Sequence, residues 1–510
     1  MKKQMMTPRL KSFVAQPRIA PERARPRAPQ CSNIIRCQGL PGASKIRTLL
    51  RPGTGAPRGI LEMVLCLAAF VCAAAPCRIE VVDKACGWPV PLVELQTLHG
   101  VRFVTDNAGV IAFDLPELMG QETWFEVKGQ GYEMKKDGFG YSGFRFTPEP
   151  GQVHRVEVER TIIARRLGRI TGGGLFGESQ KLGVESSWRE TGVLGQDSVQ
   201  NAIYGGKLFW VWGDTTLPRY PLGVFDSTGA TTAPRSLASF EPPLRLPLDY
   251  FRDEKGVPKG LAKMPGSGPS WISALATLPD AQGREHLVAS YVKDQGLVHI
   301  YRQGLAVWDD ATESFKLWRL LWEETAASPQ LPLAPDGHAV NWTNAAGKSW
   351  VLFCNPFPTM RCPATFEAWQ DTNSWERLTP PKQLLAAKTG EKVRPHTGSL
   401  AWNPWRKRWV SIFVQAEGKP SALGEVWYAE ARSPTGPWGP AVKILSHDNY
   451  TFYNPSLHPG FTDENSPILI FEGTYTAEFA NHPPKTPRYD YNQILYRLDL
   501  DDPRLLSAHE

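Results

Sequence analysis

Cysteine is scarce in this chain, eight in 510 residues, and half of the eight lie before residue 77. No Cys-x-x-Cys is present and no His pair sits near the remaining four, so the zinc-ribbon and zinc-finger classes are excluded. His-Glu-x-x-His is absent, which removes the common zinc proteases. The cluster Gly172-Gly173-Gly174 has no Lys-Ser/Thr after it and is not a phosphate loop, and no dinucleotide fingerprint follows a strand. Gly266-Ser267-Gly268 lies in a Pro/Gly-rich linker and is not a nucleophile elbow. No cofactor and no metal is therefore implied. Long hydrophobic runs are also missing: the longest of note, Met63–Ala75, has 13 residues, short of the roughly 20 that span a bilayer. A basic folded body is lacking too. The net charge is +6, but 13 of the 57 Lys and Arg fall in residues 1–76 beside only Glu22 and Glu62. Residues 77–510 thus hold 44 basic and 49 acidic groups, a net of −5. That balance argues against nucleic acid as a partner.

What is present is turn chemistry and aromatic mass: 45 Gly, 45 Pro and 18 Trp. Such a composition points to an all-β protein rather than a helical bundle. Residues 1–62 are Arg- and Pro-rich without hydrophobic periodicity and read as a disordered basic extension or a misassigned start. Residues 63–76 read as a signal-peptide core with an Ala-rich cleavage region, Arg58 lying just upstream. The expected localisation is secreted, periplasmic or cell surface. No integral span remains in the mature chain. An exported chain keeping Cys77, Cys86, Cys354 and Cys362 permits two disulfides. The local pairs are 77–86 and 354–362, with three connectivities open.

Residues 77–165 alternate apolar and polar positions between turns. Ile79–Asp83 is followed by Gly87-Trp-Pro-Val-Pro-Leu-Val-Glu-Leu95, then by a hairpin turning at Thr105-Asp-Asn-Ala-Gly109 and ending at Phe113, and by a Gly131-Tyr132. This order resembles the carboxypeptidase regulatory-like domain, which implies a small prealbumin-like β-sandwich of accessory role.

Residues 166–510 repeat one plan five times at a spacing of about 58–73 residues, which suits four-stranded propeller blades. The strongly apolar second strands are Lys207–Thr215, Glu285–Asp294, Lys348–Asn355, Lys407–Gln415 and Pro467–Thr474. Third strands are expected to end near Phe315, Trp375 and Trp438. The expectation is a five-bladed β-propeller closed by Gln493–Asp499. Polar residues gather where inner strands would begin: Asp197-Ser198, Ser270-Trp271, Asp336-Gly-His338, Arg394-Pro-His396 and Tyr453-Asn454 with His458. A bare scaffold would begin those strands on ordinary apolar residues.

Two features, Val426-Trp-Tyr-Ala followed by Ser433-Pro-Thr-Gly-Pro-Trp438, and Asp197-Ser198 with Trp212-Gly-Asp-Thr215, resemble the five-bladed propeller glycoside hydrolases of family 43 and their relatives. The resemblance implies that Asp197 is the general base or nucleophile. The family has Asp-Pro where this chain has Asp-Ser, and its separate acid Glu has no assigned counterpart here. Glycoside hydrolysis needs two carboxyl groups flanking the scissile bond, one protonated and one ionised. Asp197, Asp214 and Glu472 are the candidate catalytic carboxylates, Asp214 and Glu472 being read as the ends of equivalent strands in neighbouring blades. Arg394, His396, His458 and His338 with Asn454 are candidate hydroxyl or uronate ligands. Trp212, Trp271 and Tyr453 are candidate stacking platforms. The partner expected is a carbohydrate polymer or oligosaccharide. Two other functions compete with hydrolysis: a non-catalytic glycan- or protein-binding surface propeller, and a propeller-type polysaccharide lyase using Arg and His.

Overall fold

A computed structural model of the chain describes residues 75–224, 227–296, 299–419, 421–477, 480, 488 and 490–509. The extension at 1–62 and all but the last two residues of the expected signal segment lie outside the described residues. Among the described residues no helix is long and apolar enough to cross a membrane. Strands of two to eleven residues dominate, lengths in keeping with a Gly- and Pro-punctuated β sequence.

Eight strands between Cys77 and Arg160 form two four-stranded sheets. One runs Val110–Phe113, Cys77–Asp83, Val153–Arg160, Tyr132–Glu133, and the other runs Arg102–Val104, Glu94–Thr97, Thr123–Lys128, Gly143–Phe146. The alternation read from sequence appears as burial of Cys77, Ile79 and Val81 along the first strand. Phe113 and Phe125, one from each sheet, meet edge to face at 5.2 Å in a core shared with Leu95 and Val127.

Five further four-stranded antiparallel sheets follow. The first comprises Gln200–Tyr204, Lys207–Val211, Gly229–Thr232 and Asp249–Tyr250. The second comprises Ser270–Pro279, Glu285–Gln295, His299–Asp309 and Ser314–Glu323. The third is His338–Thr343, Ser349–Cys354, Pro358–Pro363 and Glu376–Arg377. The fourth is Pro395–Asn403, Arg408–Gln415, Glu425–Ala431 and Val442–Ser446. The fifth takes Thr451–Leu457, Ile468–Thr476 and Asn492–Asp499 and is completed by Arg165–Arg169, an outer strand supplied from the other end of the chain. The five first strands touch their neighbours in sequence order. The last returns to the first through Asn201 Nδ2, which donates to Ser456 Oγ at 3.1 Å. The sheets therefore form a closed ring, and all five first strands line one axial cavity of about 370 Å³.

Two sequence expectations fail here. Residues 365–375 do not continue a strand. Thr365 caps a short helix, Phe366–Gln370, by accepting the Ala368 N–H, and Thr372–Ser374 forms a further turn, while the third strand of that sheet ends earlier, at Pro363. The disulfides are the other correction: Cys77, Cys86, Cys354 and Cys362 are all free thiols. Cys362 lies opposite Val351, three residues from Cys354. Cys77 opens a seven-residue strand and Cys86 lies beyond its far end, so about 20 Å of strand rise separates them. A disulfide needs Cα atoms within roughly 7 Å.

Candidate functional site

Three of the five first strands, the second, fourth and fifth, carry an irregularity near their start. The pairing register shifts between Ser273 and Ala276, between Pro395 and Gly398, and between Tyr453 and Ser456. Ala274 and Asn454 have positive φ, 56° and 51°, as does Ser198 just ahead of the first ring strand, at 51°. Bulges of this kind turn a strand and re-aim its side chains. Here the bulges adjoin Leu275, Ala276, Ser399 and Ser456 of the cavity lining, and this end of the ring is called the mouth below; Asp197 and Asp214 do not themselves line the cavity.

Backbone groups at the mouth are held by the neighbouring sheet. Asn454 N–H donates to Thr397 Oγ1 (3.2 Å), Gly398 N–H to Asn355 Oδ1 (3.2 Å), Gly337 N–H to Ser273 Oγ (2.8 Å) and Ser198 N–H to Thr474 Oγ1 (3.2 Å). Each such bond satisfies a backbone N–H at a strand start or bulge with a side-chain oxygen of the neighbouring sheet.

Asp197 and Asp214 come together for a reason of register. A small three-stranded sheet, Gly195–Gln196, Thr215–Leu217 and Tyr220–Val224, pairs Gln196 with Thr215 in antiparallel fashion. The next residue in one direction is Asp197 and the preceding residue of the partner is Asp214, so the two are opposed. Gly213 N–H donates to the Asp197 carbonyl at 2.9 Å, and a side chain at Gly213 would collide with the Asp197 carboxylate. The Asp197 carboxyl is pushed up to about 7, first by burial and then by the negative charge of Asp214. Hydrogen bonds to the ionised form from the Tyr453 hydroxyl (2.6 Å to Oδ2), the Tyr491 hydroxyl and the Asp214 backbone N–H oppose that rise. The Trp271 indole N–H donates to Asp214 Oδ1 at 3.2 Å.

Half-buried Trp271 and buried Tyr453 bond this pair directly and half-buried Asn454 bonds the adjacent Ser198, while half-buried His396 and exposed Asp336, whose Oδ1 accepts the Ser273 hydroxyl at 2.8 Å, stand at the starts of the fourth and third first strands. Asn454 Nδ2 donates to Ser198 Oγ at 2.7 Å. Burial lowers His396 below the usual imidazole range. His338 is lowered to about 4, by burial first and then by His458, so it is neutral near pH 7.

Other predicted residues lie elsewhere. Glu472 is mid-strand rather than at a strand end, because Ile468–Thr476 runs four residues past it. It is wholly buried, and its Oε2 lies 3.4 Å from Nε2 of the equally buried His458. Burial raises the Glu472 carboxyl, with His458 opposing. The His458 ring packs against Trp210 at 4.9 Å. Neither Glu472 nor His458 reaches the mouth. Trp212 is 1% exposed, stacked between Trp210 and Tyr250 at 5.7 and 5.5 Å, so it is core and offers no platform. Arg394 is exposed and committed to Glu417 at 2.7 Å. Tyr491, in contrast, is not among the predicted site residues, yet it bonds Asp197. Its signal in the sequence was the Tyr-Asp-Tyr lead into the last strand, which does not reveal direction. Among the described residues no cluster of His, Cys, Asp and Glu is arranged to hold a metal ion.

No protein-family profile matches the chain, and no curated protein does. Solved structures resemble it distantly. An N-acetylgalactosamine deacetylase from F. plautii, in complex with blood group B trisaccharide, is 11% identical, covering 61% of this chain and 91% of its own, with a TM-score of 0.33. An exo-1,5-α-L-arabinanase from a bovine ruminal metagenomic library is 10% identical over 61% and 94%, TM-score 0.34. A Bacillus subtilis arabinanase is 11% identical over 60% and 95%, TM-score 0.34. Likeness at this level assigns neither a residue nor an activity to the present chain.

Proposed function

We propose that the ring is a five-bladed β-propeller, that the two sheets of residues 77–160 are a prealbumin-like sandwich, and that the protein is an exported hydrolase of glycosidic bonds. The observation that carries the reading is the opposed pair Asp197 and Asp214, with Asp197 holding its proton to near neutral pH beside a half-buried Trp271. Glycosidic cleavage uses one carboxyl as proton donor and an ionised partner as base or nucleophile. In this reading Asp197 donates to the departing oxygen and Asp214 is the ionised partner. That reverses the role the family resemblance implies for Asp197, and the reason is its raised pKa. Trp271 offers an aromatic face to a sugar ring, and Tyr453, Asn454 and His396 offer hydrogen bonds to hydroxyls. Export rests on the apolar run at 63–75, which ends in the small residues Ala73, Ala74 and Ala75.

A second reading, a glycan-binding propeller without catalysis, is favoured by one observation: Glu472, the third candidate carboxylate, is sealed in the core with His458. One experiment separates the two. The purified protein is incubated with plant, algal and bacterial polysaccharides, and reducing ends are measured for wild type, Asp197→Asn and Asp214→Asn. Release that falls by about 10²–10⁴-fold in either variant supports hydrolysis. Retention of a polysaccharide with no release by wild type overturns it in favour of binding.

A further inference from the structure

The hairpin at Thr105–Gly109 does more than turn the chain. Asn107 at its tip is 1% exposed and reaches the ring strand Arg165–Arg169. Its Nδ2 donates to the Arg169 carbonyl (2.9 Å), and its Oδ1 accepts the Arg169 N–H (3.0 Å), so the side-chain amide substitutes for a neighbouring strand. The buried Arg169 guanidinium then donates to the carbonyls of Gly173 (3.1 Å) and Gly174 (2.9 Å) and to Asn492 Oδ1 (3.4 Å). The following residues continue the grip: Ile170 N–H donates to the Gln493 carbonyl, and Gln493 N–H to Thr171 Oγ1, both at 3.0 Å.

Residues 491–493, held in this way, hold the catalytic turn. The Tyr491 carbonyl accepts Gln196 N–H at 2.9 Å, and Gln493 Nε2 donates to the Gln196 carbonyl at 3.3 Å and to Thr474 Oγ1 at 2.8 Å. Gln196 immediately precedes Asp197, and the Tyr491 hydroxyl bonds the Asp197 carboxylate. A path of hydrogen bonds joined by one- or two-residue stretches of backbone thus leads from the small N-terminal sheets to Asp197.

We propose that Asn107 and Arg169 are positioning residues for Asp197, acting through Asn492 and Tyr491, so that the N-terminal sheets form part of the site's framework rather than a spacer. The inference rests on the reading of Asp197 as a working carboxyl, but its test does not require the substrate. The groups facing Asp197 are Asp214 from the opposed strand, Tyr453 from the fifth first strand and Tyr491 from the segment before the last strand. Farther out, Arg488, Glu190 and Asp106 act electrostatically on Arg169.

The test is a carboxyl ¹³C NMR titration of the full chain labelled at aspartate, with the Asp197 signal assigned by its loss in Asp197→Asn. Tyr491→Phe removes a bond to the ionised form and is expected to raise the Asp197 midpoint by roughly one pH unit. Arg169→Lys and Asn107→Ala are expected to raise it in the same direction by a smaller amount. Lysine keeps the charge at position 169 but lacks the fork that spans two carbonyls and an amide. Melting temperature is recorded alongside, and whichever of the two variants remains folded at 25 °C decides the matter. A lowered melting temperature with an unmoved Asp197 midpoint reduces Arg169 and Asn107 to structural residues and overturns the proposal. An unmoved or lowered midpoint in Tyr491→Phe overturns it as well, since the last link is then absent. Failure of the hydrolase reading would show separately, as no sugar release by a wild type whose titration behaves as described.

Discussion

Asp197 sets the terms at the scale of single residues. Its folded-state value of about 7 lies above the ordinary carboxylate range, because burial and Asp214 both disfavour its charge. The native state therefore binds more protons than the unfolded state between roughly pH 4 and pH 7, and stability falls as pH rises through that window. Above pH 7 the full cost is present. Replacing Asp197 with Asn keeps an acceptor for Tyr453 and Tyr491 and removes the charge. Denaturant melts should show Asp197→Asn more stable than wild type by about 4 kcal/mol at pH 8, a rise of roughly three pH units at about 1.4 kcal/mol each, and nearly equal to it at pH 4. A difference of the same size at both pH values would contradict the assignment. The polar residues Asp197, Trp271 and Tyr453 stand out in the sequence because they fall where inner strands begin, and Asp214 because it closes an apolar run; the structure brings the four into direct hydrogen-bonding contact with one another. The sequence misassigned Trp212, Glu472 and His458 because alternation tells which residues share a face of a strand but not which face meets the next sheet. Arg394 was misjudged for another reason: its partner Glu417 lies on a different turn, 23 residues away.

Elements are joined at the mouth by side-chain hydroxyls and amides accepting backbone N–H groups across sheet boundaries. Ser399 is the clearest case. It is 3% exposed, and its Oγ accepts Leu457 N–H at 2.7 Å, tying the fourth first strand to the fifth. Ser399→Ala leaves that N–H buried and unpaired, and should cost about 1–3 kcal/mol in urea unfolding with an unchanged m-value. Ser433→Ala, whose hydroxyl bonds only Thr435 on the exposed surface, should stay within about 0.5 kcal/mol of wild type. If the two variants are equally stable, lateral hydrogen bonding contributes little to the ring. Strand positions were readable at this scale because apolar runs such as Trp-Val-Leu-Phe and Trp-Val-Ser-Ile-Phe-Val have few alternatives to a buried strand. The helix at Phe366–Gln370 was not, because its pattern fills barely more than one turn and gives no period to detect.

At the scale of the whole molecule the N-terminal sheets and the ring share one core. Residues of the first region, such as Val158, Ile162 and Ala164, belong to the same buried cluster as Ile444, Tyr450, Tyr496 and Leu505 of the ring. The N–H groups of Ile163 and Ala164 both donate to the Ile444 carbonyl, at 3.1 and 3.0 Å. Arg166, 2% exposed, stacks over Tyr132 and donates to the carbonyls of Pro91 (2.9 Å) and Gln130 (3.2 Å). Its own strand, Arg165–Arg169, completes the fifth sheet. Undocking the N-terminal sheets would strand these buried polar groups and expose the edge of the closing strand, each at a cost of kilocalories. Unfolding should then be cooperative across both parts. A calorimetric scan is expected to give one transition, and Arg166→Met should move it downward as a single peak. Two transitions in wild type, with only one of them shifted by the substitution, would mean that the parts fold independently. In that event the path from Asn107 to Asp197 would cross a boundary that opens on its own, and the mouth would have to hold its geometry without help from residues 75–160.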